Sequence, residues 1–513
     1  MKTVPSYQTE IGAMIASLRT EKGLTQGELA EKVGTSQPAI ARIEKGHQNI
    51  SFELVSKLSK ALSHQILSIN DHSSQGFRIH GGKELSGRIT VNISKNASVA
   101  LLCASLLNKG KTTIKGIARI EEVFRTIEVL SSIGVKFRWV NNDKDLEIIS
   151  PDELNLTKMD IEAARRTRTI LMLMGPLLHR AKSFELPYAG GCSLGTRTVQ
   201  PHLRALSSFG LEVDAAKKSG FYSAEVKNIS KKDKQIVLIE RGDTVTENVL
   251  MAAALFPGKT TIIGASANYM VQDVCFFLQK LGVKISGIGS TTLVVEGLSE
   301  ISQNVEYHPS EDPIEAMSFI AVALATNSEI TIRRVPIEFL QIELEILKTM
   351  EAKIDVSKKY LAHNGHTGLV DLTVKKSQLI APQDKIHPMP FPGLNIDNLP
   401  FFSVIAACAE GRTLIHDWVF ENRAIYTAEL SKLNAKVELL DAHRVYIEGV
   451  TNWRPAELVA PPALRPSVVV LIAMLAAPGV SILRNIYSIN RGYQDFAKRL
   501  SKLGADISLL AGI

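Results

Sequence analysis

Between residues 78 and 511 one local pattern returns six times: a turn, a strand ending in Thr-Ile or its like, an irregular link, an amphipathic helix, and a short pivot before a second strand. The plainest copies are Gly110-Lys111-Thr112-Thr113-Ile114 leading to Ile133-Gly134-Val135, and Gly258-Lys259-Thr260-Thr261-Ile262 leading to Leu281-Gly282-Val283. The pivots Gly134, Gly210, Gly282, Glu351, Asn434 and Gly504 lie about 70 to 80 residues apart, a period longer than that of a solenoid. Each unit therefore predicts a helix-and-sheet layer of its own. Six of them predict an α+β body with buried helices and outer sheets, grouped three and three around a cleft. The chain, at 513 residues, exceeds one ordinary core and suits about three domains.

The remaining domain stands at the N-terminus. Ile11, Ile15 and Leu18 repeat at helical spacing, and after Gly23 a helix opens with Thr25 and Glu28 as a capping box. Leu29, Ala30 and Val33 form its inner face and Gly34 ends it. Ser36 then caps a second helix with Pro38 in its first turn, turning Ile40 and Ile43 inward and Gln37, Ala41 and Arg42 outward. Helix, turn, helix is the expected order.

Charge and cysteine usage narrow the class of function. The net charge of +7 is spread along the chain, so it points only weakly to anionic partners. Cys103, Cys275 and Cys408 sit in apolar runs and read as buried thiols, and no C-x-x-C pair or metal-ligand spacing occurs. A reducing cytoplasm and no bound metal are expected. The apolar run from Ser467 to Val480 is too short to span a membrane. Cys192 differs from the other thiols. It lies in Pro187-Tyr188-Ala189-Gly190-Gly191-Cys192-Ser193-Leu194-Gly195-Thr196-Arg197, a glycine-rich loop five residues before a guanidinium. The Arg favours the thiolate and can also hold a phosphate in its planar fork.

The run from Leu24 to Gly46 resembles the helix-turn-helix domain of the phage-repressor (XRE/Cro) family. That resemblance implies double-stranded DNA as a partner of residues 1–69, with Ser36, Gln37 and Arg42 at base-facing or phosphate-facing positions and Gln26 at a phosphate contact. One such module binds weakly, so a homodimer is implied.

The larger body resembles the enolpyruvyl transferases, a two-domain fold of six repeated units forming an inside-out α/β barrel. The resemblance extends to the cell-wall branch of that family. It rests on Gly81-Gly82-Lys83-Glu84-Leu85-Ser86-Gly87 followed by Ser94-Lys95-Asn96-Ala97, on the Cys192 loop, on Pro390-Phe391-Pro392-Gly393-Leu394-Asn395-Ile396-Asp397, on Phe420-Glu421-Asn422-Arg423 and on Ile489-Asn490-Arg491-Gly492-Tyr493. It implies residues 78–94 and 308–513 as domain I, 95–307 as domain II and 70–77 as a linker. The implied substrates are phosphoenolpyruvate and UDP-N-acetylglucosamine, in the step that commits the sugar to peptidoglycan, without a cofactor.

The family's chemistry then distributes as follows. Lys95, Arg168, Arg197, Arg465 and Arg491 match the cations around phosphoenolpyruvate. Asp397 matches the carboxylate at the attacking hydroxyl, and Cys192 the thiol that donates a proton. Lys95 counts with both as catalytic. Asn96, Asp312, Glu315, Asp397, Glu421, Asn422 and Arg423 match residues around the nucleotide sugar, as does the Thr246-Glu247-Asn248 turn. There are departures: Ala463 and Asn490 stand where the family has Asp, Asn268 and Met270 where it has glutamates, Pro313 where it has a basic residue, and Asn395 where proline is common. Two other functions fit the same residues. One is a regulator that keeps the fold to sense a nucleotide sugar; the other is a transferase with a different hydroxyl acceptor. The retained Lys95, Cys192 and Asp397 favour an enzyme over a sensor.

Overall fold

The computed structural model describes residues 75–510 apart from 189–197, 216 and 228–232, and, nearer the N-terminus, residues 12, 15–16, 18–20, 22–46, 48, 54, 57–58 and 61–62. The chain divides into two compact units, one built on residues 1–76 and the other on 77–509.

In the first unit α1 (Gln26–Val33) and α2 (Gln37–Glu44) form the expected pair. Thr25 and Glu28 complete the capping box reciprocally, and Gly34 ends α1 in the left-handed conformation. Ser36 occupies the cap position of α2, yet its side chain makes no capping hydrogen bond; Pro38 in the first turn already removes one of the amides that a cap would serve. Ile15, Leu29, Ala30, Val33, Ile40, Ile43, Leu58 and Leu62 close one small core.

Among the described residues the second unit contains six sheets. In one of them Lys234–Val237 runs parallel to Lys259–Ile263, which pairs antiparallel with Thr292–Glu296, itself antiparallel to Lys284–Ser286. Two others repeat that order. Val305–Tyr307, Lys111–Ile114, Asp145–Ile149 and Lys136–Val140 form one. Ser86–Thr90, Glu329–Pro336, Gly368–Val374 and Ile354–Val356 form the other, with Tyr360–Leu361 added as a fifth strand against Gly368–Val374. In both, the parallel strand comes from a distant part of the sequence, so the chain passes from one set of sheets to the next and back. The strands carry alternating burial, such as the exposed and buried positions of Thr292–Glu296, and so cover a core on one face only.

That core is helical. The labelled helices are α3 (Lys95–Ala104), α4 (Glu121–Ser132), α5 (Asp243–Ala254), α6 (Tyr269–Lys280), α7 (Pro313–Ala325), α8 (Gln341–Thr349) and α9 (Leu464–Ala476). Every residue of α7 is buried, and so is α9 from Leu464 to Leu475, as befits helices that are apolar on all sides. Buried apolar side chains fall into two clusters: one from residues 97–307 with Phe339, the other from 77–91 and 314–505. Cys103 and Cys275 are buried in the first, while Cys408 is only half-buried against the second. Among the described residues no helix is long and apolar enough to cross a membrane.

All six pivots named from the sequence have positive φ: Gly134 104°, Gly210 87°, Gly282 97°, Glu351 64°, Asn434 76° and Gly504 97°. At five of them the next amide reaches back five residues, as in Val135 to the Leu130 carbonyl (3.1 Å) and Ala505 to the Leu500 carbonyl (3.1 Å), closing the helix end. A Cβ on Gly504 would meet open space, so only backbone strain opposes a side chain there. Gly504→Ala is expected to cost about 1–2 kcal/mol, the penalty of a left-handed alanine, in urea unfolding of the full chain.

Candidate active site

A cavity of about 750 Å³ in the second unit is lined from both core clusters. Lys95, Asn96, Arg168, Asp397, Glu421, Arg423, Arg465 and Arg491, remote in sequence, all border it. Asp312, Glu315 and Asn422 do not line it. Cys192 and Arg197 lie outside the described residues.

Helix starts supply much of the wall. Lys95 and Asn96 open α3, Asp243 and Thr244 open α5, and Leu464 and Arg465 open α9. The positive ends of three helices thus border one cavity, which suits an anionic ligand before any side chain is counted.

The cations are held by acids, some buried and some half-buried. Lys95 Nζ lies 2.7 Å from Glu122 Oε2, and the Thr167 hydroxyl donates to the other oxygen at 3.4 Å. Burial opposes ionisation of Glu122, but Lys95, Arg491 and Thr167 outweigh it and hold its carboxyl below the ordinary value. Arg465 is 6 % exposed. Burial works against its charge as well, yet Tyr493, Asp397, Asp312 and Tyr269 raise its pKa above that of a free guanidinium. Asp397 lies 3.7 Å from Arg465 Nη2 and 3.8 Å from Arg423 Nη1. Arg423 is itself fixed by Asp417 and by the Ile396 carbonyl, to which Nη2 donates at 2.7 Å.

Two expected sugar contacts serve the scaffold here. Asp312 caps α7, accepting from the amides of Ile314 (2.8 Å) and Glu315 (3.3 Å), and it accepts from the Lys95 amide at 3.4 Å. The Glu315 carboxylate is taken by Arg499, by the Asn92 amide at 2.6 Å and by the Asn92 side chain at 3.1 Å. Both acids titrate above their usual range because of burial.

Several cavity residues escaped the sequence. His202 is buried, and its Nδ1 accepts from Asn248 Nδ2 at 2.8 Å, since that nitrogen also donates to the Leu171 carbonyl. Nε2 therefore carries the ring proton and faces the Thr244 hydroxyl at 3.4 Å. Burial, then Arg168, push its pKa down to about 4, so it stays neutral. Asp243 accepts from Ser266 (2.5 Å) and Asn268 (3.3 Å), and its carboxyl is raised by burial. Glu247, expected in a Thr246-Glu247-Asn248 turn, lines the cavity from within α5 instead, and Arg166, Arg241 and Trp418 complete the group that escaped. Only spatial convergence unites them; none sits in a motif. Among the described residues no cluster of His, Cys, Asp or Glu could hold a metal ion.

Residues 79–500 match the family model described as EPSP synthase (3-phosphoshikimate 1-carboxyvinyltransferase). The chain belongs to the enolpyruvyl transferase family. Relatives named UDP-N-acetylglucosamine 1-carboxyvinyltransferase include that of Treponema denticola, 31% identical over 438 residues, covering 84% of this chain and 98% of the relative. That of Idiomarina loihiensis is 32% identical over 431 residues, with the same two coverages of 84% and 98%. The fold is that of the enolpyruvyl transferase NikO from Streptomyces tendae, at a TM-score of 0.73 and 22% identity over 86% of this chain and 99% of that one. EPSP synthase from Acinetobacter baumannii follows at 0.65 and 19%, over 85% and 100%. Residues 15–63 match the helix-turn-helix family model.

In this transferase the first unit presents Gln37 and Arg42 on its exposed side. Gln37 Nε2 donates to Gln26 Oε1 (3.2 Å), Gln26 Nε2 to Glu44 Oε2 (2.8 Å), and Arg42 Nε to Gln48 Oε1 (3.0 Å). Gln26, at the start of α1, is thus tied to the start of α2 through Gln37 and to its end through Glu44, which Arg19 anchors at 2.6 Å.

The Lys95–Glu122 pair makes a stability prediction. Glu122→Gln leaves a buried ammonium without its counter-charge and should cost about 3–5 kcal/mol at neutral pH. Because the folded carboxyl titrates below its unfolded value, its contribution is present above the ordinary carboxylate range and is lost as pH falls through the depressed folded pKa. Denaturant unfolding of both proteins should show the gap closing only in acid.

Proposed function

We propose that this chain transfers the enolpyruvyl group of phosphoenolpyruvate to a hydroxyl of UDP-N-acetylglucosamine with release of phosphate, in the cytoplasm, as the committing step toward peptidoglycan. The supporting observation is that Lys95, Arg168, Arg465 and Arg491 meet Asp397 at one cavity, in a chain that matches relatives of that name over nearly their whole length.

In this reading the sugar hydroxyl oxygen bonds to C2 of phosphoenolpyruvate, its proton passes to Asp397, and Cys192 delivers a proton to C3. The tetrahedral adduct then loses phosphate through cleavage of its C2–O bond, and C3 returns a proton to the Cys192 thiolate as the vinyl double bond re-forms. Arg465 and Arg491, with Lys95, Arg168 and Arg197, balance the carboxylate and the departing phosphate. Arg465 also stands beside Asp397, 3.7 Å from its carboxylate. Asn96, Glu421 and Arg423 belong to the sugar side, with Asn422 beside them, and Asp312 and Glu315 act through the start of α7. Purified protein should release phosphate only when both substrates are present. Asp397→Asn should lower turnover by about 10²-fold or more while phosphoenolpyruvate binding persists; an unchanged rate would remove Asp397 from the mechanism.

The N-terminal unit is proposed to bind duplex DNA as a dimer through Gln37, Arg42, Ser36 and Gln26, with residues 70–75 as the link; the expected bound of 77 is too late, since Gly76 opens a strand and Phe77 is buried in the second core cluster. Selection from a random duplex pool should enrich one site, with an affinity that falls steeply with salt. Gln37→Ala combined with Arg42→Ala should abolish that enrichment and leave phosphate release untouched.

A further inference from the structure

Helix α8 breaks its own amphipathic pattern. Its buried face carries Leu347 and, one turn earlier, Glu343, which is 1 % exposed, whereas the neighbouring Ile342 is 40 % exposed. A carboxyl group has taken an apolar slot, and an isoleucine faces water beside it. Such an arrangement costs stability unless the acid is fully used.

Its use is local to Asp397. Glu343 Oε1 accepts from the Asn395 amide at 3.1 Å and from Asn398 Nδ2 at 2.7 Å, the two residues that bracket the Ile396-Asp397 step. Asn395 Oδ1 in turn accepts from the Asp397 amide at 2.9 Å, and the Asn398 amide donates to the Asn395 carbonyl at 2.9 Å. From the opposite side Arg423 holds the Ile396 carbonyl and approaches Asp397. The segment is thus gripped at four consecutive residues. Asn395 stands where proline is common, and it brings a backbone N–H that proline lacks; Glu343 is the buried acceptor for that N–H.

We propose that Glu343 is a positioning residue for the reaction: by holding Asn395 and Asn398 it sets the Asp397 carboxylate against Arg423 and Arg465, without touching substrate. Burial favours the neutral form of Glu343, and hydrogen bonds from Asn398 and the Asn395 amide oppose it. In either form Oε1 accepts, so glutamine reproduces the role and leucine does not. The proposal rests on the assignment of Asp397 to the hydroxyl proton.

The test uses the full chain with phosphoenolpyruvate and UDP-N-acetylglucosamine. Glu343→Leu should lower kcat by about 10-fold to 100-fold, the effect of a displaced catalytic group, with both KM values within about threefold. Glu343→Gln should restore wild-type kcat. Adding Asn395→Pro to Glu343→Leu removes the orphaned N–H and should recover part of the lost turnover. Equal kcat in wild type and Glu343→Leu overturns the proposal, as does a loss that Glu343→Gln shares. Wild-type protein that releases no phosphate overturns the assigned reaction and this proposal with it, whereas active wild type beside an equally active leucine variant overturns this proposal alone.

Discussion

Arg465 imposes the governing constraint. A guanidinium withdrawn from water persists only where negative or polarisable groups surround it, and here those groups come from far-apart segments: Asp397 from a loop, Asp312 from the start of α7, Tyr493 from near the C-terminus and Tyr269 from α6 in the other core cluster. The same arrangement that keeps the cation charged draws four parts of the chain together around Arg465, which itself borders the cavity with Asp397. Lys95 and Glu122 repeat the arrangement at α3 and α4. Charge that is expensive to bury is therefore spent on geometry, and the acids that stabilise the cations also fix where they stand.

Sequence period and turn chemistry made the large architecture legible. The six pivots mark helix ends because a chain that must reverse from helix to strand in one residue needs a left-handed position, which favours Gly or Asn and leaves a local trace. Glu351 is the exception in residue type, and only the repeat exposed it. The capping box of Thr25 and Glu28 was equally local. Ser36 shows the limit, since a cap residue in sequence need not bond through its side chain when proline follows.

The cavity was legible only in part. Lys95, Arg465, Arg491 and Asp397 fall in segments with family signatures, and the structure brings them together. His202, Glu122 and Asp243 have no such signature, and their meaning arises from neighbours tens to hundreds of residues away. Glu343 was hidden differently, because a Glu in Gln341-Ile342-Glu343-Leu344-Glu345 looks like one more solvated charge on a surface helix. Glu315 was expected at the sugar from a motif match, and its pairing with Arg499, distant in sequence, left no trace there.

The strand Gly76–Gly81, which begins the transferase body, is internal to its sheet: its neighbours are Gly479–Arg484 and Asp506–Leu510. The first strand to leave the ribosome must therefore wait for the last. The core around residues 97–307 contains nearly all of its own partners and can condense while synthesis continues, whereas the sheet that joins both ends of the body closes only once Asp506–Leu510 has emerged. Chains that lack Asp506–Leu510 lose a partner of the opening strand and carry an unpaired strand edge, which marks them for degradation or aggregation.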